Sequence, residues 1–466
     1  MAALPSPHPR VLMLPFPAQG HVMPFMELSH RLAEHGVQVY FVNTDFNHAR
    51  IIRAMDAAGE TAGAVVPAGI HMVSFPDGMD ADADRSDIGK LGGGLRAAML
   101  GHLEDLVRSK EIAWMVVDVP MIWALELAAT VGLRVALFLP FAAAAFALRL
   151  HAPKMVEDGI VDHDGNEKRS EAIQLSTRMP AVDVHELPWS SVGKTPEARR
   201  FVFHTVVNTS AAIAVADCLV CNTFEEIESE ALALIPKTTL AVGPLETPKD
   251  DTPAASHFWP DDPACLPWLD AQAPCSVVYV AFGSLAVFDA TQLQELADGL
   301  ALTGRPFLWV IRPNLTGDGC WLDEFRRRVG GRGLVVGWAP QQRVLEHPAV
   351  ACFVTHCGWN SVMEGARQGV PFLCWPHFGD QFCNRSYVCD VWRTGVRLCC
   401  CCGGGDGRGG GVVTKEEVRD KLELLLGDEG IRERAVLLQT AARASVVDGG
   451  SSHRNLLRFV NMLRER

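Results

Sequence analysis

Between Trp338 and Gln381 the sequence reads WAPQQRVLEHPAVACFVTHCGWNSVMEGARQGVPFLCWPHFGDQ. The segment CFVTHCGWNSVMEG has the pattern of a strand, a tight turn and a helix. His356 closes the strand, Gly358 permits the turn, and Asn360 and Ser361 open the helix. A strand feeding a helix N-terminus is an anion site, because unsatisfied N–H groups and the helix dipole point the same way. His356 and the N–H groups from Trp359 to Ser361 are therefore candidates to face a diphosphate. Glu364 lies one helical turn beyond Asn360, where a carboxylate could accept both hydrogen bonds of a ribose diol. Trp338 ends the preceding strand and could stack on a planar base. Asp380 and Gln381 follow FLCWP and open another helix, offering acceptors and donors to sugar hydroxyls. The simpler alternative is that Asn360 and Ser361 only cap their helix, Glu364 is a solvated acid and Trp338 packs in a core.

A second constellation lies in the first third of the chain. His21 follows the first apolar strand in PFPAQGHVMPF, and Asp118 ends the fourth in WMVVDVP. In a doubly wound sheet of order 3-2-1-4-5, strands one and four are neighbours, and both residues then reach one crevice. Near neutral pH, His is the usual general base for removing a hydroxyl proton. A carboxylate behind it would fix the tautomer and stabilise the imidazolium. Without Asp118, a His at this place would be more simply a helix-capping or packing residue.

These positions depend on two series of alternating strands and helices. RVLMLPF, VQVYFVN, HMVSF, WMVVD and VALFL are short apolar strands separated by helical stretches. SVVYVAFG, FLWVIR, GLVVGW, CFVTH and FLCWP repeat the pattern later in the chain. Strands of this kind indicate parallel sheets covered on both faces. The expected architecture is α/β, with two doubly wound Rossmann-like domains facing across a cleft. The first spans residues 1–243. A Pro- and Asp-rich linker covers 244–275, the second domain 276–448, and an amphipathic terminal helix 449–466 has an apolar face that must dock.

Composition limits the alternatives. A chain of 466 residues exceeds one ordinary core. With 42 basic against 55 acidic residues, the formal net charge of −13 argues against nucleic acid or an anionic membrane as a partner. The opening MAALPSPHPR lacks a secretory pattern, and the apolar run from Val135 to Leu148 is too short to span a bilayer. A soluble, cytoplasmic monomer is expected. The 14 cysteines are read mostly as small buried thiols. The run Cys399–Cys402 beside GGGDGRGGG is a low-complexity insertion without a second ligand cluster of zinc spacing.

The Trp338–Gln381 segment closely resembles the signature box of plant family 1 UDP-glycosyltransferases. The resemblance extends from LPFPAQGHVMPFMELS to GGSSHRNL, nearly the whole chain. It implies the glycosyltransferase B fold, with the terminal helix crossing back to the N-terminal domain. It also implies that Trp338 and Ala339 hold uracil and that Gln341 and Glu364 bind ribose. His356, Asn360, Ser361 and Ser284 would contact the diphosphate, and Trp359, Asp380 and Gln381 the sugar. His21 and Asp118 would be base and relay for a single inverting displacement, with no metal or other cofactor. His356 and the helix N-terminus would help the diphosphate leave. A closing Gln is associated in the family with glucose. Many relatives carry Thr or Ser after strand five to contact the sugar, but this chain has Pro140.

The expected activity is transfer of a hexose, glucose first, from UDP-sugar to a hydroxyl or carboxyl of a small lipophilic acceptor such as a flavonoid, terpenoid, phenolic or hormone. Phe16, Phe138, Phe141 and Phe146 are candidate apolar material on the acceptor side. The alternatives are a UDP-sugar epimerase or hydrolase on the same fold, or a non-catalytic UDP-sugar binder. Two further motifs are set aside. The D-x-D patterns of Asp80 to Asp84 lie in an acidic loop with no strand leading into it. Gly92, Gly94 and Ala97 match a dinucleotide pattern but do not follow a strand.

Overall fold

The structure, a computed structural model, describes residues 8–57, 68–190, 192, 195–246, 258–312, 320–398 and 411–465. The Cys399–Cys402 run with its glycine-rich neighbour, and residues 247–257 of the Pro- and Asp-rich stretch, lie outside the described residues. The chain forms two compact units. One comprises the described residues of Met1–Glu171, Pro188–Pro260 and Ala444–Arg466, and the other those of Ala172–Leu187 and Asp261–Arg443.

In the first unit, β1 (Arg10–Leu14), β2 (Gln38–Thr44), β3 (Ile70–Phe75), β4 (Trp114–Asp118) and β5 (Arg134–Leu139) are followed, in the second, by the short antiparallel strands β6 (Ala172–Ile173) and β7 (Val182–Asp183). The chain then returns to the first unit with β8 (Cys218–Cys221) and β9 (Thr239–Ala241). Seven strands pair in parallel in the order β3-β2-β1-β4-β5-β8-β9. Leu14 of β1 lies opposite Val117 of β4, so the chain just beyond β1 runs beside Asp118 at the end of β4. All five residues of WMVVD are buried, as helices on both sheet faces require.

The second unit contains β10 (Val277–Ala281), β11 (Phe307–Val310), β12 (Gly333–Val336), β13 (Val350–Thr355), β14 (Phe372–Cys374) and β15 (Gly395–Arg397). Its six-stranded parallel sheet has the order β12-β11-β10-β13-β14-β15. The order reverses between β10 and β13, and ligands in open α/β sheets lie beyond the strand ends at such a switch point. The loops after β10 and β13 carry Ser284 and His356.

Each unit has its own core. The first gathers Phe25, Phe41, Trp114 and Phe138 with Leu456, Phe459, Val460 and Leu463 of the terminal helix Ser451–Arg464. Phe459 meets Trp114 edge-on at 6.4 Å. Ser452 Oγ donates to the Gly243 carbonyl at 2.5 Å, which fixes the helix start. The second core gathers Phe307, Trp309, Phe325, Leu296, Val418 and Leu422. All four candidate acceptor-side rings, Phe16, Phe138, Phe141 and Phe146, are buried. Phe138 packs edge-on against Phe25 at 4.7 Å, and Phe146 is completely buried.

Gly92, Gly94 and Ala97 sit inside the helix Ile88–Lys110. A Cβ on Gly92 would lie 2.8 Å from the Phe201 ring, and one on Gly89 2.7 Å from Ala198. These small residues let the helix Pro196–Val215 approach closely, which accounts for the glycines without a phosphate. The nine cysteines whose side chains are described form no disulfide, and seven of them are buried. Among the described residues no helix is long and apolar enough to cross a membrane.

Truncating Phe459 tests the terminal helix as core. Phe459→Ala should destabilise the first unit by about 3–5 kcal/mol, the usual cost of removing a buried aromatic ring. Urea unfolding followed by circular dichroism measures it; a change under about 1 kcal/mol would show that the helix contributes little.

Candidate active site

In the first unit, the register of β1 against β4 closes the gap between two distant residues. Asp118 is wholly buried, and its Oδ2 accepts from His21 Nδ1 at 2.7 Å and from the Phe16 backbone N–H at 2.9 Å. His21 lies in the first turns of the helix Gln19–Glu34, with its side chain 27% exposed and Phe16 edge-on to the ring at 5.6 Å. With Nδ1–H donated to a fixed carboxylate, the free lone pair is on Nε2 at the partly exposed edge. This is the arrangement of an oriented general base.

The other candidates lie in the second unit. The turn after β13 is tight: Cys357 has φ +63°, a left-handed conformation costing a non-glycine residue about 1–2 kcal/mol. Its N–H is held by Thr355 Oγ1 at 3.2 Å. The turn delivers the chain into the helix Trp359–Gln368, whose start has no side-chain cap, so Asn360 and Ser361 are not its capping residues. A helix start without a side-chain cap is a candidate place for an anion. The His356 ring is wedged between two glycines. A Cβ on Gly283 would come within 2.8 Å of Nε2, and one on Gly358 would come closer still. Burial, with smaller repulsion from His377 and Arg312, lowers the His356 pKa to about 3. This changes the expected role of His356 at a departing diphosphate. A neutral ring supplies a hydrogen bond, not a charge.

Glu364, only 8% exposed on the same helix, is the centre of a network. Gln341 Nε2 donates to Glu364 Oε2 at 2.6 Å and to Ser361 Oγ at 2.9 Å, and Gln342 Nε2 donates to Glu364 Oε1 at 3.2 Å. Tyr279 OH donates to Gln341 Oε1 at 3.1 Å and so sets that amide's orientation. Burial pushes the Glu364 carboxyl above its ordinary pKa, against the opposing effect of the two amide bonds. Trp338 is half-buried and Ala339 buried, just ahead of the helix Gln341–Glu346. The Trp338 carbonyl accepts from Asp262 N–H at 3.2 Å.

The loop after β14 completes the set. Gln381, 3% exposed, accepts at Oε1 from the N–H groups of His377 at 2.8 Å and Phe378 at 3.2 Å. Its NH2 end is therefore the one available to a ligand. Asn384 is fully buried, and its Nδ2 donates to the Cys357 carbonyl and to Asp380 Oδ2, both at 2.9 Å. One amide ties the turn after β13 to the helix Gln381–Ser386. Trp359 is buried and tilted against Trp392 at 6.3 Å. His377 packs against Phe288 at 4.7 Å and Trp375 at 5.5 Å, and burial lowers its pKa to about 4. Packing in the second unit accounts for it.

Four contributors escaped the sequence reading: Asn384, Gln342, Tyr279 and Arg312. Asn384 had a signal, since it stands four residues after Asp380 on one helix face. Arg312 just follows β11 at the carboxyl end where ligands gather, a weaker signal of the same kind. Tyr279, inside a buried strand, had none. Among the described residues, no group of three or more His, Cys, Asp or Glu is placed to hold a metal.

Two parallel-sheet α/β units with their loops at the strand carboxyl ends are the fold of the glycosyltransferase B enzymes that use nucleotide sugars. The structure superposes on Os79 from O. sativa in complex with UDP with a TM-score of 0.77 at 28% identity, covering 97% of this chain and 100% of that one. It superposes on a Polygonum tinctorium UDP-glucosyltransferase, solved with 3,4-dichloroaniline, with a TM-score of 0.81 at 27% identity, covering 99% and 100%. Residues 250–402 match the family UDP-glucoronosyl and UDP-glucosyl transferase, and residues 9–65 match a glycosyltransferase N-terminal domain. UDP-glycosyltransferase 83A1 of Arabidopsis thaliana is 38% identical, with 98% of this chain and 97% of that protein covered. Linamarin synthase 1 of Manihot esculenta is 33% identical over 98% and 97%. The chain belongs to the plant UDP-glycosyltransferases, and it is an enzyme of that family.

Glu364 offers a titration test. A carboxylate that accepts two hydroxyl hydrogen bonds must be ionised, and its pKa lies above the ordinary glutamate value. UDP affinity should fall as pH drops through a midpoint above that value. Glu364→Gln should weaken UDP about 10–100-fold at neutral pH and abolish this acid limb. Calorimetric titration across pH measures both; an unchanged acid limb in the variant would remove Glu364 from the site.

Proposed function

We propose that the protein transfers glucose from UDP-glucose to a hydroxyl or carboxyl group of a small lipophilic acceptor, in one displacement with inversion. The observation that carries the reading is the His21–Asp118 pair at the switch point of the first sheet. His21 Nε2 takes the acceptor proton as the acceptor oxygen attacks the anomeric carbon. The bond from that carbon to the diphosphate oxygen breaks, and UDP leaves. Asp118 holds the tautomer and stabilises the imidazolium as it forms.

On the donor side, Trp338 and Ala339 take the uracil, Gln341 and Glu364 the ribose, and Ser284, His356, Asn360 and Ser361 the diphosphate. Trp359, Asp380 and Gln381 take the hexose. The helix start after Gly358, which carries no side-chain cap, and the buried Glu364 support this order. Glucose is supported by the closing Gln381 and by relatives named as glucosyltransferases of 7-deoxyloganetin and gallate. Those names also support small acceptors. The donor set requires no metal, because helix N–H groups and side-chain donors surround the proposed diphosphate position. We place the enzyme in the cytoplasm as a monomer.

Incubation with UDP-glucose and an acceptor panel should give products heavier by one hexose. Turnover of UDP-glucose without an acceptor would instead indicate a hydrolase or epimerase, and no turnover a binder. His21→Ala should abolish transfer to an aliphatic alcohol while leaving UDP affinity nearly intact, and Asp118→Asn should lower kcat by about 10²–10⁴. Full activity of His21→Ala on such an alcohol would refute the base assignment. Prior treatment with EDTA should leave the rate unchanged, and a loss restored by a divalent cation would overturn metal independence.

A further inference from the structure

The loop between β10 and the helix Ala290–Leu302 carries Ser284, and something must hold it rigid. Arg312, just past the end of β11, does so. Its Nη1 donates to the Ser284 carbonyl at 2.5 Å, and its Nη2 donates to the Ala286 carbonyl. Arg312 is only 8% exposed, and among the described residues no carboxylate pairs with it. A buried guanidinium without an anion is costly, and burial pulls even its pKa down. Folded proteins seldom keep such a charge unless it meets an anion at work.

The bonds to Arg312 also orient the loop. In a trans peptide the C=O and the following N–H point in opposite directions. Drawing the Ser284 and Ala286 carbonyls toward Arg312 turns the N–H groups of Leu285 and Val287 away from it. Gly283, at φ +67°, begins this run beside His356. Successive N–H groups after a left-handed residue form an anion-binding concavity. The guanidinium is close enough to His356 to help suppress its protonation. With the His356 pKa lowered to about 3, Arg312 supplies a full positive charge behind the Ser284 loop.

We propose that Arg312 is the positioning residue and buried counter-charge for the donor diphosphate: it fixes the Ser284 loop through two carbonyls and offsets the charge that grows on UDP as it leaves. The inference rests on the donor-site reading above and adds a residue outside the Trp338–Gln381 segment.

The test separates charge from hydrogen bonding. Uridine and UDP are titrated calorimetrically into the unaltered protein, Arg312→Lys and Arg312→Gln, with folding checked by thermal melting. Arg312→Gln should weaken UDP about 10–100-fold and leave uridine unchanged, while Arg312→Lys, which keeps the charge but loses the two-carbonyl fork, should weaken UDP by less than about 10-fold. The kcat for transfer should fall further than UDP affinity in Arg312→Gln, because the diphosphate gains charge in the transition state. Equal weakening of UDP by both substitutions, or no change in the UDP-to-uridine ratio in Arg312→Gln, would overturn the proposal. If Arg312→Gln does not fold, Arg312→Lys decides: a loss of 10-fold or more with the charge retained overturns it, and retention supports it. Failure of the unaltered protein to prefer UDP over uridine would overturn the donor-site reading itself, and the role of Arg312 with it.

Discussion

Parallel strand pairing is the constraint on which everything else rests. Neighbouring strands that run the same way need a crossover through a helix, and those helices cover both faces of the sheet. Loops at the carboxyl ends are then the places where polar groups can gather without disrupting a core. Both units obey this rule. Asp118, Ser284, Arg312, His356 and Asp380 all stand just past or at the end of a strand, although the strands themselves are almost wholly apolar. These candidate site residues are concentrated in a few short loops whose positions follow from strand order.

For this reason much of the fold and site was legible before any coordinates. Apolar strands alternating with amphipathic helices gave both sheets. Placing β1 beside β4 brought His21 toward Asp118 without any contact being known. The misses have physical causes. Phe138 and Phe146 were expected on the acceptor side, but residue type does not tell which side of a strand or helix faces the core. The glycines of the Ile88–Lys110 helix, set aside as a dinucleotide site because no strand precedes them, do lie inside a helix, where Gly92 faces the Phe201 ring and Gly94 the Asp77 carbonyl. Tyr279 acts through one hydroxyl at the edge of a buried strand, and no spacing rule reveals a hydrogen bond of that kind. Arg312 stands at the carboxyl end of β11, but the backbone carbonyls it binds carry no sequence signature.

Burial also changes what the named residues can do. His356 is a cation by residue type, yet burial between Gly283 and Gly358 lowers its pKa to about 3. Glu364 is an acid by type, but its surroundings favour the protonated form more than water does. Both shifts come from desolvation first. The local electrostatics therefore run opposite to a count of ionisable side chains: the histidine supplies no charge, and the cation lies behind a loop. A protein of net charge −13 can hold a dianionic ligand in this way, because the relevant potential comes from a few enclosed groups.

Gln381 illustrates how backbone can restrict the language of a side chain. An amide carries one acceptor and one donor end and is, in solution, indifferent to which it presents. Here two main-chain N–H groups occupy the oxygen, so rotation of the amide would strand both of them and bring nitrogen against nitrogen. The side chain is left with one grammatical role toward any partner, that of donor. In the proposed complex it reads lone pairs and is blind to hydroxyl protons. A stereocentre that turns an oxygen out of its reach is penalised twice, once for the lost bond and once because the amide has no second orientation with which to adapt.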